Sequence, residues 1–351
     1  MTNRGEKVSS VRWVARAILL FALLGLPAAA QPLEPVTVIT GDWPPYVEQS
    51  APGGGILAEV LSAAFAGMGY RADYRFGLFD DALTAAGRDG VAGTFPWFRT
   101  EQREQDWVYG RQPLLEVEYV FFVRRPALIV PKLDTASIDT PEDLHALRFG
   151  GVAGYVYPEE VEKRIRPERR YPTEAEAFEA LLDRKIDLLQ SDFRVGMDFI
   201  TGPHADRRHD IVVLAGEGLT HRQPLYFVAA RSQPGAEDFI AALDDELRRL
   251  ELAGYLRQLL DRTDRQSRWV VRLSGNDSFP LVVGHRERDN EEAILIPNGT
   301  RAVVFEWAER FQHPGPVRVH EDMFVKSRVH LLDGPMRGET VWVQSLYIQL
   351  P

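Results

Sequence analysis

Hydrophobic positions change their spacing along this chain, and each change marks a different kind of segment. Val36 to Thr40 is a β-branched run that stops in Gly41-Asp42-Trp43-Pro44-Pro45-Tyr46, a strand running into a proline-fixed loop with two aromatics. After three glycines, Ile56, Leu57, Val60, Leu61, Ala64, Phe65 and Met68 recur at helical spacing, and Gly69 ends that helix. Ala72 to Phe76 reads as a strand, Asp81 to Ala86 as a short helix, and Val91 to Thr94 as a small-residue strand. Alternating strand and helix predict a parallel sheet covered on both faces. In such sheets ligands sit beyond the carboxyl ends of the strands, where the loops Trp43–Tyr46 and Phe95–Phe98 fall.

The stretch from Gly93 to Arg125 gathers the candidate chemistry. Phe95, Trp97 and Phe98 surround Pro96, Thr100 has helix-start character, Arg103 follows, and Val117 to Val123 reads as one strand. Aromatic walls beside a single guanidinium describe a pocket for a small anion-bearing molecule. The plainer alternative makes Trp97 and Phe98 core, with Arg103 paired to Glu104 or Asp106 on a surface helix.

A second α/β unit follows Arg125. Thr140-Pro141-Glu142-Asp143 offers a cap, a proline at the first helical position and first-turn acids. Arg148 to Val152 is a strand, and Thr173-Glu174-Ala175-Glu176 a capping box opening a helix. Lys185 to Leu189, Ile211 to Leu214 and Leu225 to Ala229 read as strands, and Ala236 to Leu260 as one long helix. From Ser267 alternation takes over: Trp269, Val271 and Leu273, then 281–283, 293–296, 302–305, 317–319, 325–331 and 340–343. Short strands with turns at Gly275-Asn276-Asp277 and Pro297-Asn298-Gly299 predict a small all-β barrel or sandwich.

Composition narrows the partners. Lys and Arg number 41 against 51 Asp and Glu, a formal net charge of -10, which argues against nucleic acid or an anionic membrane surface. With no cysteine, disulfides, thiolate catalysis, Cys-based zinc sites and lipid attachment through Cys are excluded. Residues 1–30 read as a signal peptide: a basic leader, a short apolar core from Ala17 to Leu26, and small residues before Gln31. That core is shorter than the about 20 residues a bilayer span needs, so export to the periplasm without a span or lipid anchor is expected.

From about Pro35 to Arg262 the chain resembles the extracellular solute-binding proteins of the polar amino-acid type (family three), the periplasmic receptors of ABC importers. The similar pieces come in the family's order: Trp43-Pro44-Pro45-Tyr46, Gly55 with Glu59, Thr100-Glu101-Gln102-Arg103, Pro113-Leu114, Ile186-Asp187, Leu225-Tyr226-Phe227 and Gly254-Tyr255. The resemblance implies a two-lobed α/β fold of the type II periplasmic-binding class. Residues 31–120 and 225–262 would form lobe one, 121–224 lobe two, and two crossing strands the hinge. It matches Arg103 to the ligand-carboxylate clamp, Asp192 to an ammonium-binding acid, and backbone amides of Gly154, Tyr155 and Val156 to the completion of the carboxylate site. Trp43, Tyr46 and Phe95 fall where aromatic walls are expected, while Phe98 stands where the family usually offers a small hydroxyl residue. The alternative role for Asp192 is a cap on a helix starting near Arg194, and for Trp43 core packing. Residues 267–351 resemble an SH3-like barrel through Pro297-Asn298-Gly299-Thr300 and Gly334 to Val343.

The scattered histidines include no pair with metal-site spacing, and His204 and His209 sit among Arg207 and Arg208. Asp80-Asp81 and Asp244-Asp245-Glu246 read as solvated helix faces, and no serine lies in a nucleophile elbow. The expectation is a binding receptor without cofactor or metal, not an enzyme. It would deliver a small carboxylate to an ABC permease. The alternative is an envelope sensor or scaffold whose barrel meets a protein or cell-wall partner.

Overall fold

The computed structural model describes residues 32–125, 138–275, 281–288, 292–308 and 325–351, and only the backbone of Asp80. The expected leader, the strand at 317–319, the turn residues Asn276 and Asp277, and the Asp80 side chain of the first carboxylate cluster lie outside that description. The chain first runs through β1 (Glu34–Gly41), α1 (Ile56–Gly67), β2 (Tyr70–Gly77), α2 (Phe79–Ala86), β3 (Val91–Trp97), α3 (Glu101–Asp106) and β4 (Trp107–Tyr109). The apolar stripe of α1 is the face that goes inward, with Ile56, Leu57, Val60, Leu61, Ala64 and Phe65 all buried. Gly55 precedes it because φ is 92° and a Cβ there would come within 2.7 Å of the Tyr46 carbonyl oxygen.

Next come β5 (Leu115–Arg124), β6 (Phe149–Val152), α4 (Glu159–Arg164), β7 (Arg169–Tyr171), α5 (Glu174–Leu182), β8 (Leu188–Asp192), α6 (Phe193–Thr201), β9 (Ile211–Leu214) and β10 (His221–Ala230). Two parallel arrangements form, β1 with β3 in one lobe and β7–β6–β8 in the other. Strands β5 and β10 belong to both. β10 pairs with β5 over His221–Leu225 and with β3 and β4 over Tyr226–Ala230. β5 in turn carries β8 and β9 on its Tyr119–Arg124 half. This is a two-lobed periplasmic-binding-protein architecture.

Local expectations shift in three places. The strand expected to end at Thr94 continues to Trp97, so Phe95 and Pro96 are strand rather than loop, with Trp97 opposite Tyr226. The strand expected over Lys185–Leu189 instead spans Leu188–Asp192. Arg184 adopts φ 65°, the Lys185 N–H closes α5 on the Ala180 carbonyl, and Asp187 is held by Arg124 and Arg148 at 2.7 Å each. The long helix divides into α7 (Ala236–Leu252) and α8 (Tyr255–Gln266), because Gly254 turns left-handed at φ 70°.

The remaining strands are β11 (Val270–Leu273), β12 (Leu281–His285), β13 (Ala293–Pro297), β14 (Arg301–Glu306), β15 (Lys326–Leu331), β16 (Thr340–Gln344) and β17 (Ile348–Gln349). They pair antiparallel in the order β17–β11–β14–β15–β16–β12–β13, over a cluster that includes Leu273, Val282, Ile296, Val329 and Val341. This set docks on lobe two. Glu306 bridges to Val212, the Arg125 guanidinium donates to Glu306 at 3.0 Å, and Arg328 donates to the Val213 carbonyl at 2.7 Å. Phe193 meets Trp269 and Phe305 edge-on at 5.8 Å.

Lobe two leaves little room at Gly196, where a Cβ would lie 2.1 Å from Phe122 Cζ. Gly196→Ala is therefore expected to destabilise the protein by about 1–3 kcal/mol through overpacking. Urea unfolding reads this; an unchanged midpoint would contradict the packing described.

Candidate functional site

A cleft opens between the lobes beside the crossing strands. Its cavity volume is about 70 Å³. Lobe one supplies Trp43 from the loop after β1, Phe79 from the start of α2, Pro96 and Trp97 from the end of β3, Phe98, and Arg103 from α3. The loop after β6 supplies Ala153 to Val156, and the crossing strands supply Tyr119 and Leu225. Trp43 is fixed by its backbone: its N–H donates to the Val47 carbonyl at 2.6 Å and its carbonyl accepts from the Val47 N–H at 3.0 Å.

Arg103 is the cation of this lining. Thr100 caps α3 by accepting from the Arg103 N–H at 3.2 Å, which fixes where the side chain starts. The guanidinium then lies over the Trp97 ring, 4.9 Å from its centroid, and Nη1 donates to the Phe98 carbonyl at 3.1 Å. Among the described residues no carboxylate pairs with it; Glu104 pairs instead with Arg99, at 3.5 Å. The surface ion pair weighed from the sequence is thus absent there. Opposite, Gly154 and Val156 have backbone N–H groups with no partner among the described residues. The guanidinium and these two amides are donors of the kind that suit an anion.

A residue the sequence reading passed over sits behind the wall. Glu174, the first residue of α5, is buried, and one of its oxygens accepts from both Trp43 Nε1 at 3.0 Å and the Tyr155 hydroxyl at 2.9 Å. Its other oxygen accepts from the Ser191 hydroxyl. Trp43 belongs to lobe one and the other two to lobe two, so a single carboxylate ties the lobes together. Burial pushes its carboxyl above the usual range, against the lowering effect of the three hydrogen bonds. In the sequence it looks like an ordinary first-turn acid within a capping box; only its distance from Trp43 in the fold identifies it.

The sequence candidates divide. Trp43, Trp97, Phe98, Arg103, Gly154, Tyr155 and Val156 come together around the cleft. Tyr46 and Phe95 do not line it: both are fully buried, Tyr46 beneath Trp43 at 4.8 Å between rings and Phe95 edge-on to Tyr74 at 5.8 Å. Asp192 does not line it either. Its Oδ1 caps α6, accepting from the N–H groups of Arg194 at 2.9 Å and Val195 at 3.1 Å. Phe79, Tyr119 and Leu225 line the cleft without having been singled out; apolar side chains on strands and at a helix start give no sequence signal separating wall from core. Among the described residues no cluster of His, Asp or Glu could hold a metal, and no helix is long and apolar enough to cross a membrane.

Solved structures share this fold. The arginine-, lysine-, histidine-binding protein ArtJ from Geobacillus stearothermophilus matches at TM-score 0.52 and 15% identity, over 66% of this chain and 98% of that one. The substrate-binding protein of an amino acid ABC transporter matches at 0.52 and 14%, over 65% and 98%. A histidine kinase sensor domain with similarity to periplasmic binding proteins matches at 0.51 and 19%, over 65% and 95%. No protein-family model matches the chain, and comparison with curated proteins finds no match.

Burial pushes the Asp192 carboxyl up from 3.8 to about 7, chiefly against the hydrogen bond from Val195. The folded chain thus keeps a proton that the unfolded chain releases between about pH 4 and 7, so this group's contribution to stability falls as pH rises through that window. Asp192→Asn, which keeps a capping oxygen, is expected to flatten the fall. Melting temperatures from pH 4.5 to 7.5 measure it; an identical slope in the variant would contradict the assignment.

Proposed function

We propose that the chain is a binding receptor that captures a small carboxylate-bearing molecule, an amino acid or a relative of one, between its two lobes. The observation that carries this reading is Arg103, a guanidinium with no carboxylate partner among the described residues, set at an aromatic cleft also lined by Gly154 and Val156, whose amides have no partner among the described residues. A planar, permanently charged fork suits a carboxylate bidentately, and one of its five N–H donors is accounted for by Phe98. Lobe closure about β5 and β10 would complete the grip, and an ABC permease would receive the ligand. The fold shared with ArtJ and with the binding component of an amino acid transporter supports this, as does the absence of a recognisable nucleophile motif. Export to the periplasm belongs to the same reading and rests on residues 1–30.

One observation favours a second reading, an envelope sensor or scaffold. The C-terminal strands, which we read as an SH3-like unit, are fastened to lobe two through the nearly buried Arg125–Glu306 pair. Movement of that lobe would carry the unit with it toward a protein or cell-wall partner. A sensor domain shares the fold.

Arg103→Ala, titrated by calorimetry against amino acids, dicarboxylates and aromatic acids, is expected to weaken whichever acid the wild type binds by about ten- to a hundredfold. Unchanged affinity would remove Arg103 from the site. Uptake of that acid by cells lacking the gene separates the two readings: reduced uptake is expected for delivery to a permease, and undiminished uptake favours the sensor.

A further inference from the structure

The cleft supplies donors for an anion but, among the side chains of its described lining, few acceptors for an ammonium group. Among the described residues its lining contains no Asp, Glu, Asn, Gln, Ser or Thr side chain. The Phe98 carbonyl already accepts from Arg103 at 3.1 Å and from the Tyr109 hydroxyl at 2.9 Å, filling both lone pairs. The indole N–H of Trp97 is spent on Thr94 at 3.0 Å, and that of Trp43 on Glu174. The phenol oxygens of Tyr119 and Tyr155 are the side-chain acceptors left in the lining. A primary ammonium brings three N–H donors, and burying them without acceptors is costly. Aromatic faces, in contrast, are abundant: half of the lining is Phe, Trp or Tyr.

Resting on the receptor reading above, we infer that the ligand is a carboxylate whose cationic group is fully alkylated, a trimethylammonium, held by aromatic faces rather than by an acid. Such a cation has no N–H to satisfy, sheds its weakly held water readily, and is attracted by ring faces. The wall formed by Trp43 and Tyr155 is suited to this. Both rings donate their polar hydrogen outward to Glu174, whose carboxylate accepts three hydrogen bonds directly behind them. Donation to Glu174 makes each ring more electron-rich, which strengthens its attraction for a cation. Glu174 thus acts on the cation through the rings, as a positioning residue. Arg103 and the Gly154 and Val156 amides take the carboxylate.

The test is calorimetric titration of the full-length protein with three probes of one shape series: glycine, N,N,N-trimethylglycine, and 3,3-dimethylbutanoate, the uncharged carbon analogue of the trimethyl compound. Trimethylglycine is expected to bind at least about tenfold more tightly than either of the others. Tighter or equal binding of glycine overturns the inference while leaving a carboxylate receptor in place. Equal binding of 3,3-dimethylbutanoate also overturns it, because the cleft would then read shape rather than charge. If no probe binds, and no acid of the wider panel does, the receptor reading fails and the inference fails with it. Trp43→Leu, checked for folding by circular dichroism, is expected to erase the preference for trimethylglycine over its carbon analogue; a preserved preference places the cation elsewhere.

Discussion

Two strands serve both halves of this protein, and the cleft exists because of them. β5 and β10 hydrogen-bond to each other over one stretch and to different sheets on either side of it, so neither lobe can be completed without the chain crossing between them. The crossing also delivers Tyr119 and Leu225 to the floor of the cleft. Above that floor, Trp43, Phe98 and residues 153–156 come from loops, where backbone is not committed to a ladder, while Pro96 and Trp97 end β3 and Phe79 and Arg103 stand on helices. The aromatic cleft is therefore a product of topology, with its chemistry set by a few residues at the rim.

The polar groups of the site are arranged in two layers. Lining the cleft stand Arg103 and the Gly154 and Val156 amides, which have no partner among the described residues, all of them donors. Behind the aromatic wall stands Glu174, whose buried carboxylate satisfies donors from both lobes. A buried carboxyl is tolerable only when hydrogen-bonded, and two of its three partners here are the rings that form the wall, the third being the Ser191 hydroxyl. Cleft wall and structural tie are thus the same residues, seen from two sides. Lobe two is braced on its other flank by the C-terminal strands, where Arg125 and Arg328 converge on Glu306.

Much of the fold was legible in the sequence because burial leaves a period. The helical stripe of α1 and the β-branched runs of β1, β5 and β9 stand close to where their spacing put them. What was illegible follows from local chemistry that spacing does not encode. Gly254 lies inside a continuous apolar pattern and still breaks the helix, because the pattern records burial and not φ. Asp187 looks like a strand residue until Arg124 and Arg148 hold it in a turn. For the site, residue type pointed to Arg103 and Trp43 and the family resemblance to the Gly154 loop, but neither could tell a wall aromatic from a core one: Tyr46 and Phe95 are as aromatic as Trp97 and lie wholly inside. Nor could it pair Trp43 with an acid 131 positions away.

A crystal structure of the protein grown with an acid that raises its melting temperature would test the central claim most directly. The acid's carboxylate is expected against the Arg103 guanidinium and the Gly154 amide, with the rest of the molecule between the aromatic walls. Finding it instead in the groove between lobe two and the C-terminal strands, with the Arg103 fork unengaged, would contradict the account.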